Sequence, residues 1–248
     1  MPEKKATKTG LEKAKVPKDE EACLIVAPHP DDEVLGCAAY IGMMVESSID
    51  VFVMYLTNGV GSRVNSLKGT AEARRRNLDA HKAAKLLGYQ IVYHGHEFQD
   101  NALDKVGVLT LAQCIETVIR DIRPVEVLIP SIHDLNVDHR MAAEATMVAT
   151  RPVAGGTVKA LHSYYVPSAT EWSFGAMGGE FRPNVFLELD AARLAAKLEA
   201  CAVFESEMRP YPHPRSLVGI ETAARFYGMR VGQDAVEPFE TIWESHTP

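Results

Sequence analysis

Long apolar runs and closely spaced cysteines are both scarce in this sequence. Nowhere does it reach the run of about 18 uninterrupted apolar residues that a membrane-spanning helix needs, and residues 37–45 are the longest candidate. The first residues lack the apolar stretch of a signal peptide. The four cysteines are scattered and show neither zinc-knuckle nor redox spacing. These absences argue against a membrane protein and favour reduced, buried thiols in a cytoplasmic protein.

Positive charge is also in deficit. The chain has 26 Lys and Arg against 33 Asp and Glu, which gives a formal net charge of −7 at pH 7. General binders of nucleic acid or of membrane surfaces need basic surfaces that replace counterions, so we expect neither partner. No Gly-x-Gly-x-x-Gly motif follows the first predicted strand, and a dinucleotide cofactor is therefore not indicated.

The chain is large enough to bury a sizeable core. Its 248 residues are 46% hydrophobic, and α/β folds of this length commonly form one domain. Strand and helix patterns alternate from residue 23 to residue 150, which is typical of parallel strands joined by helical crossovers. Further strands are predicted near residues 159–166 and 185–189, and further helices over residues 191–205 and 217–227. The pattern predicts a three-layer α/β/α sandwich over residues 21–248.

Residues 27–33 place a histidine and three acids at a predicted strand-to-helix junction. Residues 23–26 form a short apolar run typical of a buried strand, and residues 34–45 form an apolar-rich helical pattern. In an open parallel sheet, ligands bind beyond the carboxyl ends of the strands. His29 and Asp32 can direct an imidazole nitrogen and a carboxylate oxygen at the same cation across one turn. The junction therefore predicts a metal site.

Asp31 lies between these two candidate ligands in the sequence and is a candidate general base. A carboxylate beside a metal can take a proton from water and so generate hydroxide near neutral pH for attack on a carbonyl. The simpler alternative is that Asp31 caps the following helix and that His29 is a hydrogen-bonded loop residue. Local composition leaves both interpretations open.

A third ligand is predicted in the polar loop that follows the strand over residues 125–130. His139 directly precedes the helical pattern over residues 140–150. It therefore follows a later strand in the same way that His29 follows the first strand. Three protein ligands with open positions are the catalytic rather than the structural pattern of zinc.

For other polar residues of the same loop, the sequence indicates a role in the metal site less specifically. Asp138 is predicted to cap the helix or to orient a metal ligand from behind. His133 and Asp134 can also face the site, but a solvated loop explains both residues equally well.

Two motifs carry a resemblance to a known family. The first is Pro-His-Pro-Asp-Asp-Glu at residues 28–33, and the second is Asp-Leu-Asn-Val-Asp-His-Arg at residues 134–140. Together they resemble the PIG-L/LmbE family of zinc-dependent N-acetylglucosaminyl deacetylases, with similarity from about residue 21 to residue 244. The resemblance implies a Rossmann-like sandwich with a mostly parallel sheet. It also implies the same metal ligands and the same general base as the residues alone, namely His29, Asp32, His139 and Asp31.

One position departs from the family pattern. Many members carry a histidine three positions before the last ligand, where it can polarise the substrate carbonyl, and this chain has Asn136 there. An amide can donate a hydrogen bond to an oxyanion but cannot protonate the leaving amine. His133 and His213 are candidates for that acid, and His213 is preferred because its proline-flanked segment is stiff. The alternative is that residues 211–215 only connect two helices.

Substrate-binding residues are expected in loops at the same sheet edge. The resemblance indicates Arg76, although a solvated face is the default for a run of arginines. Asp100 lies in a further segment that is similar to the family and is predicted to bind substrate. Trp172 can stack on a sugar ring or serve as a hydrophobic anchor. His94 and His96 lack carboxylates at ligand spacing, so we expect an ordinary polar loop there.

These residues predict an amidohydrolase that removes the acetyl group from an N-acetylated amino sugar or its conjugate. We expect one Zn²⁺ per chain, with another divalent metal as the alternative, and a small-molecule substrate. The sequence is compatible with a homo-oligomer but does not determine the oligomeric state. A protonated Asp31 or His213 would return a proton to the departing amine. Two other classes stay open, because two histidines and one carboxylate also describe non-haem iron oxygenases, and a similar domain can be an inactive sugar-binding module.

Residues 1–20 mix lysines with acids and contain almost nothing apolar, which predicts a flexible tail. Deleting these residues is expected to leave folding and turnover nearly unchanged, because they have too little apolar surface to offset the entropy of ordering them. Melting temperature and initial rate of the full and shortened chains provide the measurement. A large loss of melting temperature would show that the segment docks on the domain or on a neighbouring subunit.

Overall fold

The computed structural model describes residues 21–60, 66–93 and 98–245. The tail predicted over residues 1–20 lies outside the described residues, as do His94 and His96. In chain order the strands and α-helices are β1 (Ala22–Ala27), α1 (Asp32–Glu46), β2 (Asp50–Tyr55), α2 (Ser66–Leu87), β3 (Gln90–Tyr93), α3 (Val108–Ile122), β4 (Glu126–Pro130), α4 (Val137–Ala149), β5 (Ala160–Tyr164), β6 (Val185–Glu188), α5 (Ala191–Val203), α6 (Leu217–Met229) and β7 (Val236–Glu244). Two short 3-10 helices are added, Leu103–Lys105 and Glu171–Ser173.

The described strands form one sheet in the order β3-β2-β1-β4-β5-β7-β6. The pairs from β3 to β5 are parallel, whereas β7 runs antiparallel to both β5 and β6. The order 3-2-1-4-5 is that of a doubly wound sheet, in which the crossovers change direction between β1 and β4. The prediction of a Rossmann-like sandwich with a mostly parallel sheet is confirmed.

Side chains of β1 alternate between two hydrophobic cores, one on each face of the sheet. Ile25 packs in the core that α1, α2 and α5 cover, whereas Leu24 and Val26 pack in the core under α3 and α4. Because both faces are covered, the strand is apolar throughout rather than alternating, as is usual for a central parallel strand. None of the described helices combines the length and the apolar character needed to cross a bilayer. No disulfide joins the cysteines of the described chain.

The strand β7 is a feature that the sequence did not predict. Pro238 and several glutamates interrupt its apolar pattern, and proline normally argues against a strand inside a sheet. In the structure Pro238 pairs with Phe186 of β6, and Glu237 is buried. A buried glutamate in a strand needs a partner, and that partner comes from another element.

Lys197 of α5 is this partner. Its Nζ lies 2.6 Å from Glu237 Oε1 and donates a hydrogen bond to the Leu35 carbonyl at 2.8 Å. Glu237 also accepts hydrogen bonds from the backbone N–H groups of Ala39 and Tyr40, at 2.9 and 2.8 Å. Burial alone would lower the pKa of Lys197, but the Glu237 carboxylate raises it above its ordinary value. The charged pair therefore ties the middle of α1 to α5 and β7.

Replacing Lys197 by methionine is expected to lower the free energy of unfolding by about 3–5 kcal/mol, because it leaves the Glu237 carboxylate buried without its counter-charge. Urea unfolding measures this change. The matched control is Arg225→Ala, which breaks an exposed pair with Glu221 and should cost about 0.5 kcal/mol or less.

A further substitution in the Lys197→Met background, Glu237→Gln, should recover part of the loss by removing the unpaired charge. Equal effects of Lys197→Met and Arg225→Ala would contradict the assignment of a buried charged pair.

Candidate metal centre

Asp31, at the junction of β1 and α1, has a strained backbone conformation. Its φ is 136° and its ψ is −26°, a combination that costs on the order of 1–3 kcal/mol in a residue other than glycine. The backbone N–H of Asp31 donates to Glu33 Oε2 at 3.0 Å, and its carbonyl accepts from the N–H of Leu35 at 2.9 Å. The Asp31 side chain makes no capping hydrogen bond to α1. The interpretation of Asp31 as a helix cap is therefore wrong, and its carboxylate is available to the site.

The structure brings His29, Asp32 and His139 together at the carboxyl ends of β1 and β4. His29 Nδ1 lies 3.1 Å from Asp32 Oδ2, and His139 Nε2 lies 3.4 Å from the same oxygen. All three residues are buried, and one ligand atom from each lies within 4.8 Å of the others. The helix α4 begins at Val137 rather than at residue 140, so His139 lies inside its first turn instead of before it.

Two buried atoms of this cluster, Asp32 Oδ1 and His139 Nε2, have no hydrogen-bonding partner among the residues that the structure describes. Buried polar atoms are normally paired, because an unpaired one loses its hydration without compensation. His139 Nδ1 lies 2.8 Å from Asp134 Oδ2, which favours a proton on Nδ1 and a lone pair on Nε2. A divalent cation would satisfy both unpaired atoms, so the donor set fits such an ion.

The far side of His29 is held by two further acids. His29 Nε2 lies 3.1 Å from Asp100 Oδ1 and 3.2 Å from Asp138 Oδ2. Asp138 is itself fixed, because it accepts hydrogen bonds from the backbone N–H groups of Asn101 at 2.6 Å and Leu103 at 3.0 Å. These contacts direct a proton on Nε2 toward the acids and leave Nδ1 for the cluster with Asp32. They support the orienting role that the sequence offered for Asp138.

The alternative role of Asp138 as a helix cap is wrong. Asn136 caps α4, since its Oδ1 accepts a hydrogen bond from the backbone N–H of Asp138 at 2.8 Å. The cap uses only the amide oxygen of Asn136, so its NH₂ group can donate hydrogen bonds elsewhere. Asp134, which the sequence left open between the site and a solvated loop, is buried and contacts His139.

The Asp31 carboxylate lies between two guanidinium groups. Its Oδ1 is 2.8 Å from Arg76 Nη2, and its Oδ2 is 3.1 Å from Arg215 Nη1. Burial raises the pKa of Asp31, and the charges of the two arginines act against that rise. Arg76 is buried and also donates to the carbonyls of Pro30, at 2.8 Å, and Gly59. These partners support a role for Arg76 in holding Asp31 rather than in reaching substrate.

The electrostatics of the three candidate ligands favour positive charge between them. Burial would raise the pKa of Asp32, but the neighbouring His139 and His29 hold it well below its usual range. Burial would lower the pKa of His139, but the carboxylates of Asp32 and Asp134 raise it to about 9. Imidazole protons or a divalent cation can supply this charge, and a bound cation is the larger local charge of the two.

Two residues of the site, Glu33 and Arg215, are missing from the sequence prediction. Glu33 Oε1 accepts hydrogen bonds from the hydroxyl groups of Tyr55 at 2.7 Å and Tyr89 at 2.8 Å. Burial raises the pKa of Glu33 to about 7, against the effect of these hydrogen bonds. The run of three acids was the available signal for Glu33. The only sequence signal for Arg215 was its closeness to His213.

His213 and Trp172 lie against each other, with ring centroids 5.0 Å apart and the planes at 74°. His213 Nδ1 accepts a hydrogen bond from the backbone N–H of Arg215 at 3.0 Å, which connects the pair to Asp31 through one residue. Burial and the charges of Arg215 and Arg209 lower the pKa of His213. The competing candidate, His133, has its Nδ1 3.3 Å from the carbonyl of Met177.

Known structures share this fold. N,N'-diacetylchitobiose deacetylase from Pyrococcus horikoshii has 20% identity and a TM-score of 0.73, over 91% of this chain and 85% of that one. GalB, the 4-carboxy-2-hydroxymuconate hydratase from Pseudomonas putida KT2440, has 19% identity and a TM-score of 0.65, over 92% and 98%. At these identities the similarity establishes the fold alone, and the two proteins are named for different reactions.

Sequence comparison adds a family. Diacetylchitobiose deacetylase from Thermococcus kodakarensis is 28% identical over 233 residues, which cover 88% of this chain and 82% of that protein. The family model PIG-L, described as GlcNAc-PI de-N-acetylase, matches residues 24–150. This match covers half of the chain and contains His29, Asp31, Asp32 and His139. The chain therefore belongs to the PIG-L family.

Proposed function

We propose that this protein is a metal-dependent hydrolase that removes the N-acetyl group from an N-acetylated amino sugar or its conjugate and releases acetate. The observation that carries the proposal is the buried cluster of His29, Asp32 and His139, with two unpaired ligand atoms and a separate carboxylate, Asp31, beside it. The family description and the names of the deacetylase relatives support an acetamido sugar as the substrate. The mixed nitrogen and oxygen donor set supports zinc as the metal.

The proposed ligand atoms are His29 Nδ1, an Asp32 carboxylate oxygen and His139 Nε2. A divalent metal held there would supply Lewis acidity toward the amide carbonyl and would lower the pKa of water. Asp100 and Asp138 hold the His29 ring through its Nε2, and Asp134 holds the His139 ring through Nδ1. Such partners fix the tautomer and the direction of each ligand.

Asp31 is proposed as the general base that takes the proton of the attacking water. Each oxygen of a carboxylate can accept two hydrogen bonds, so one guanidinium contact on each oxygen leaves a position for water. Burial raises the pKa of Asp31, with Arg76 and Arg215 opposing the rise, and a raised pKa helps the carboxyl to hold a proton and pass it on.

The proton for the departing amine can come from Asp31 or from His213. The lowered pKa of His213 favours its neutral imidazole near neutral pH, whereas Asp31 has just received a proton. These facts favour Asp31 as the donor and give His213 a hydrogen-bonding role beside it. His213 as the acid stays a prediction of the sequence.

We propose substrate-binding residues from side chains that have an available hydrogen-bond donor or an accessible ring. Asn136 retains its NH₂ group for the developing oxyanion, because the cap occupies only its oxygen. Trp172 is 38% exposed, so its ring is accessible to a sugar face. Asp100, predicted to bind substrate, contacts His29 and is better explained by holding that ring.

Two alternatives considered from the sequence are less well supported. The family to which the chain belongs is described as a de-N-acetylase, which favours neither an iron oxygenase nor an inactive sugar-binding module. Neither alternative needs a buried carboxylate such as Asp31 beside the metal ligands. Buried Cys23, Cys37 and Cys201 support a reducing compartment, and we propose the cytoplasm.

The direct test measures acetate released from a panel of N-acetylated amino sugars, their disaccharides and their conjugates. At least one acetamido sugar should yield acetate and a free amine in equal amounts. Release of acetate from none of them would contradict the proposal. Turnover only with ferrous iron, 2-oxoglutarate and oxygen would support the oxygenase instead.

The purified protein is expected to bind about one divalent metal per chain, because three separated ligands make one open site. Chelation should abolish acetate release, and added zinc should restore it. His139→Ala should lower both bound metal and affinity, measured by elemental analysis and titration, whereas the exposed control His81→Ala should change neither. Full metal binding by His139→Ala would show that the ligand set is wrong.

Substitution of the two adjacent acids should separate the base from the ligand. Asp31→Asn keeps the shape but cannot accept a proton, so metal should still bind while the rate falls by roughly 10²–10⁴. Asp32→Asn replaces an anionic ligand with a neutral one, so metal affinity should fall first and excess zinc should recover part of the activity. Bound zinc and acetate release are measured for both variants. The opposite pattern would exchange the two roles.

A further inference from the structure

One side chain of the segment between α5 and α6 reaches the metal centre. Arg215 Nη1 lies 3.1 Å from Asp31 Oδ2, although the two residues are 184 positions apart. The Nε–H of Arg215 is shared between the Pro167 carbonyl at 3.2 Å and Ser168 Oγ at 2.9 Å. Its backbone N–H donates to His213 Nδ1. One guanidinium therefore joins the Asp31 carboxylate to the loop after β5.

The two arginines on Asp31 differ in how they are held. The guanidinium of Arg76 is buried, contacts Oδ1 and is fixed by carbonyls of the loops that follow β1 and β2. Arg215 contacts Oδ2, its side chain is 16% exposed, and its Nε is held by residues 167–168. Arg76 thus makes a charge contact with Oδ1 from inside the fold, whereas Arg215 donates a hydrogen bond to Oδ2 and so orients the carboxylate.

The loop that holds Arg215 is also the loop that presents Trp172. Ser168 has a φ of 69°, and its backbone N–H donates to Glu171 Oε1 at 2.8 Å. Trp172 follows directly and packs its ring against His213. Arg215 therefore contacts the base with one end of its guanidinium and the Trp172 loop with the other.

We propose that Arg215 is a positioning residue that aims Asp31 Oδ2 for proton transfer and links this aim to the Trp172 loop. The inference rests on the proposed hydrolase function. A guanidinium presents its N–H groups in a fixed plane, so a contact from Nη1 and another from Nε together define where the carboxylate lies. A displacement of the base of about 1 Å can cost on the order of 10²-fold in rate.

The test compares Arg215→Ala and Arg215→Lys with the unaltered protein on an acetamido sugar that the unaltered protein hydrolyses. Arg215→Ala should lower kcat by roughly 10-fold to 100-fold, with KM and bound zinc almost unchanged, because Arg215 acts through Asp31. Arg215→Lys should recover only part of kcat, because an ammonium cannot make both contacts. The control Arg225→Ala lies on α6 in an exposed pair with Glu221 and should match the unaltered protein.

A double substitution shows whether Arg215 acts through Asp31. In the Asp31→Asn background, Arg215→Ala should lower the rate by about twofold or less, because the group it positions no longer takes the proton. An equal loss in both backgrounds would overturn the proposal. A raised KM with unchanged kcat would also overturn it and place Arg215 in contact with substrate.

The remaining outcomes are equally decisive. Loss of zinc from Arg215→Ala would show a structural role and overturn the proposal. If Arg215→Ala does not fold, Arg215→Lys carries the test, and full kcat in that folded variant would overturn it. If the unaltered protein hydrolyses no acetamido sugar, the proposed function fails and this inference falls with it, whereas an active protein with full kcat after Arg215→Ala removes the inference alone.

Discussion

Burial of several carboxylates at one edge of the sheet is the constraint on which the rest of this structure depends. An isolated buried charge is too costly to keep, so each acid needs a cation, an imidazole or backbone N–H groups nearby. Asp31 has two arginines, Asp32 has two histidines, and Asp138 has backbone N–H groups and His29. These partners come from segments far apart in the chain, so the pairing also holds those segments at the switch point between β1 and β4.

The helix that begins at this site is anchored at both its start and its middle. At its start, Glu33 accepts hydrogen bonds from the hydroxyl groups of Tyr55 and Tyr89. It also accepts one from the backbone N–H of Asp31, the residue with the strained backbone conformation. In its middle, Glu237 and Lys197 bind backbone groups that belong to α1. Strain at a functional residue persists only where its surroundings over-determine it. The anchors of α1 explain how Asp31 can keep an unfavourable φ.

The fold alone does not decide the reaction, since a deacetylase and a hydratase are both similar to this structure. What favours hydrolysis is the local chemistry: three ligands with unpaired atoms and a carboxylate that is not among them. The same chemistry is indifferent to the rest of the substrate. The loop with Trp172 and the segment with Arg215 lie outside the residues that match the family model, so differences in substrate are expected to arise there.

The sequence alone determined what is local. Apolar runs of strand length and alternating elements predicted the parallel part of the sheet, and His29 and Asp32 were recognisable because one turn brings them together. Tertiary structure alone decided the rest. The strand β7 forms although Pro238 interrupts its pattern, and Glu237 can be buried because Lys197, which is 40 positions away in the sequence, pairs with it. Arg215 contacts Asp31 across 184 positions. A local pattern encodes neighbours along the chain, whereas partners for buried charges are chosen by packing between distant elements.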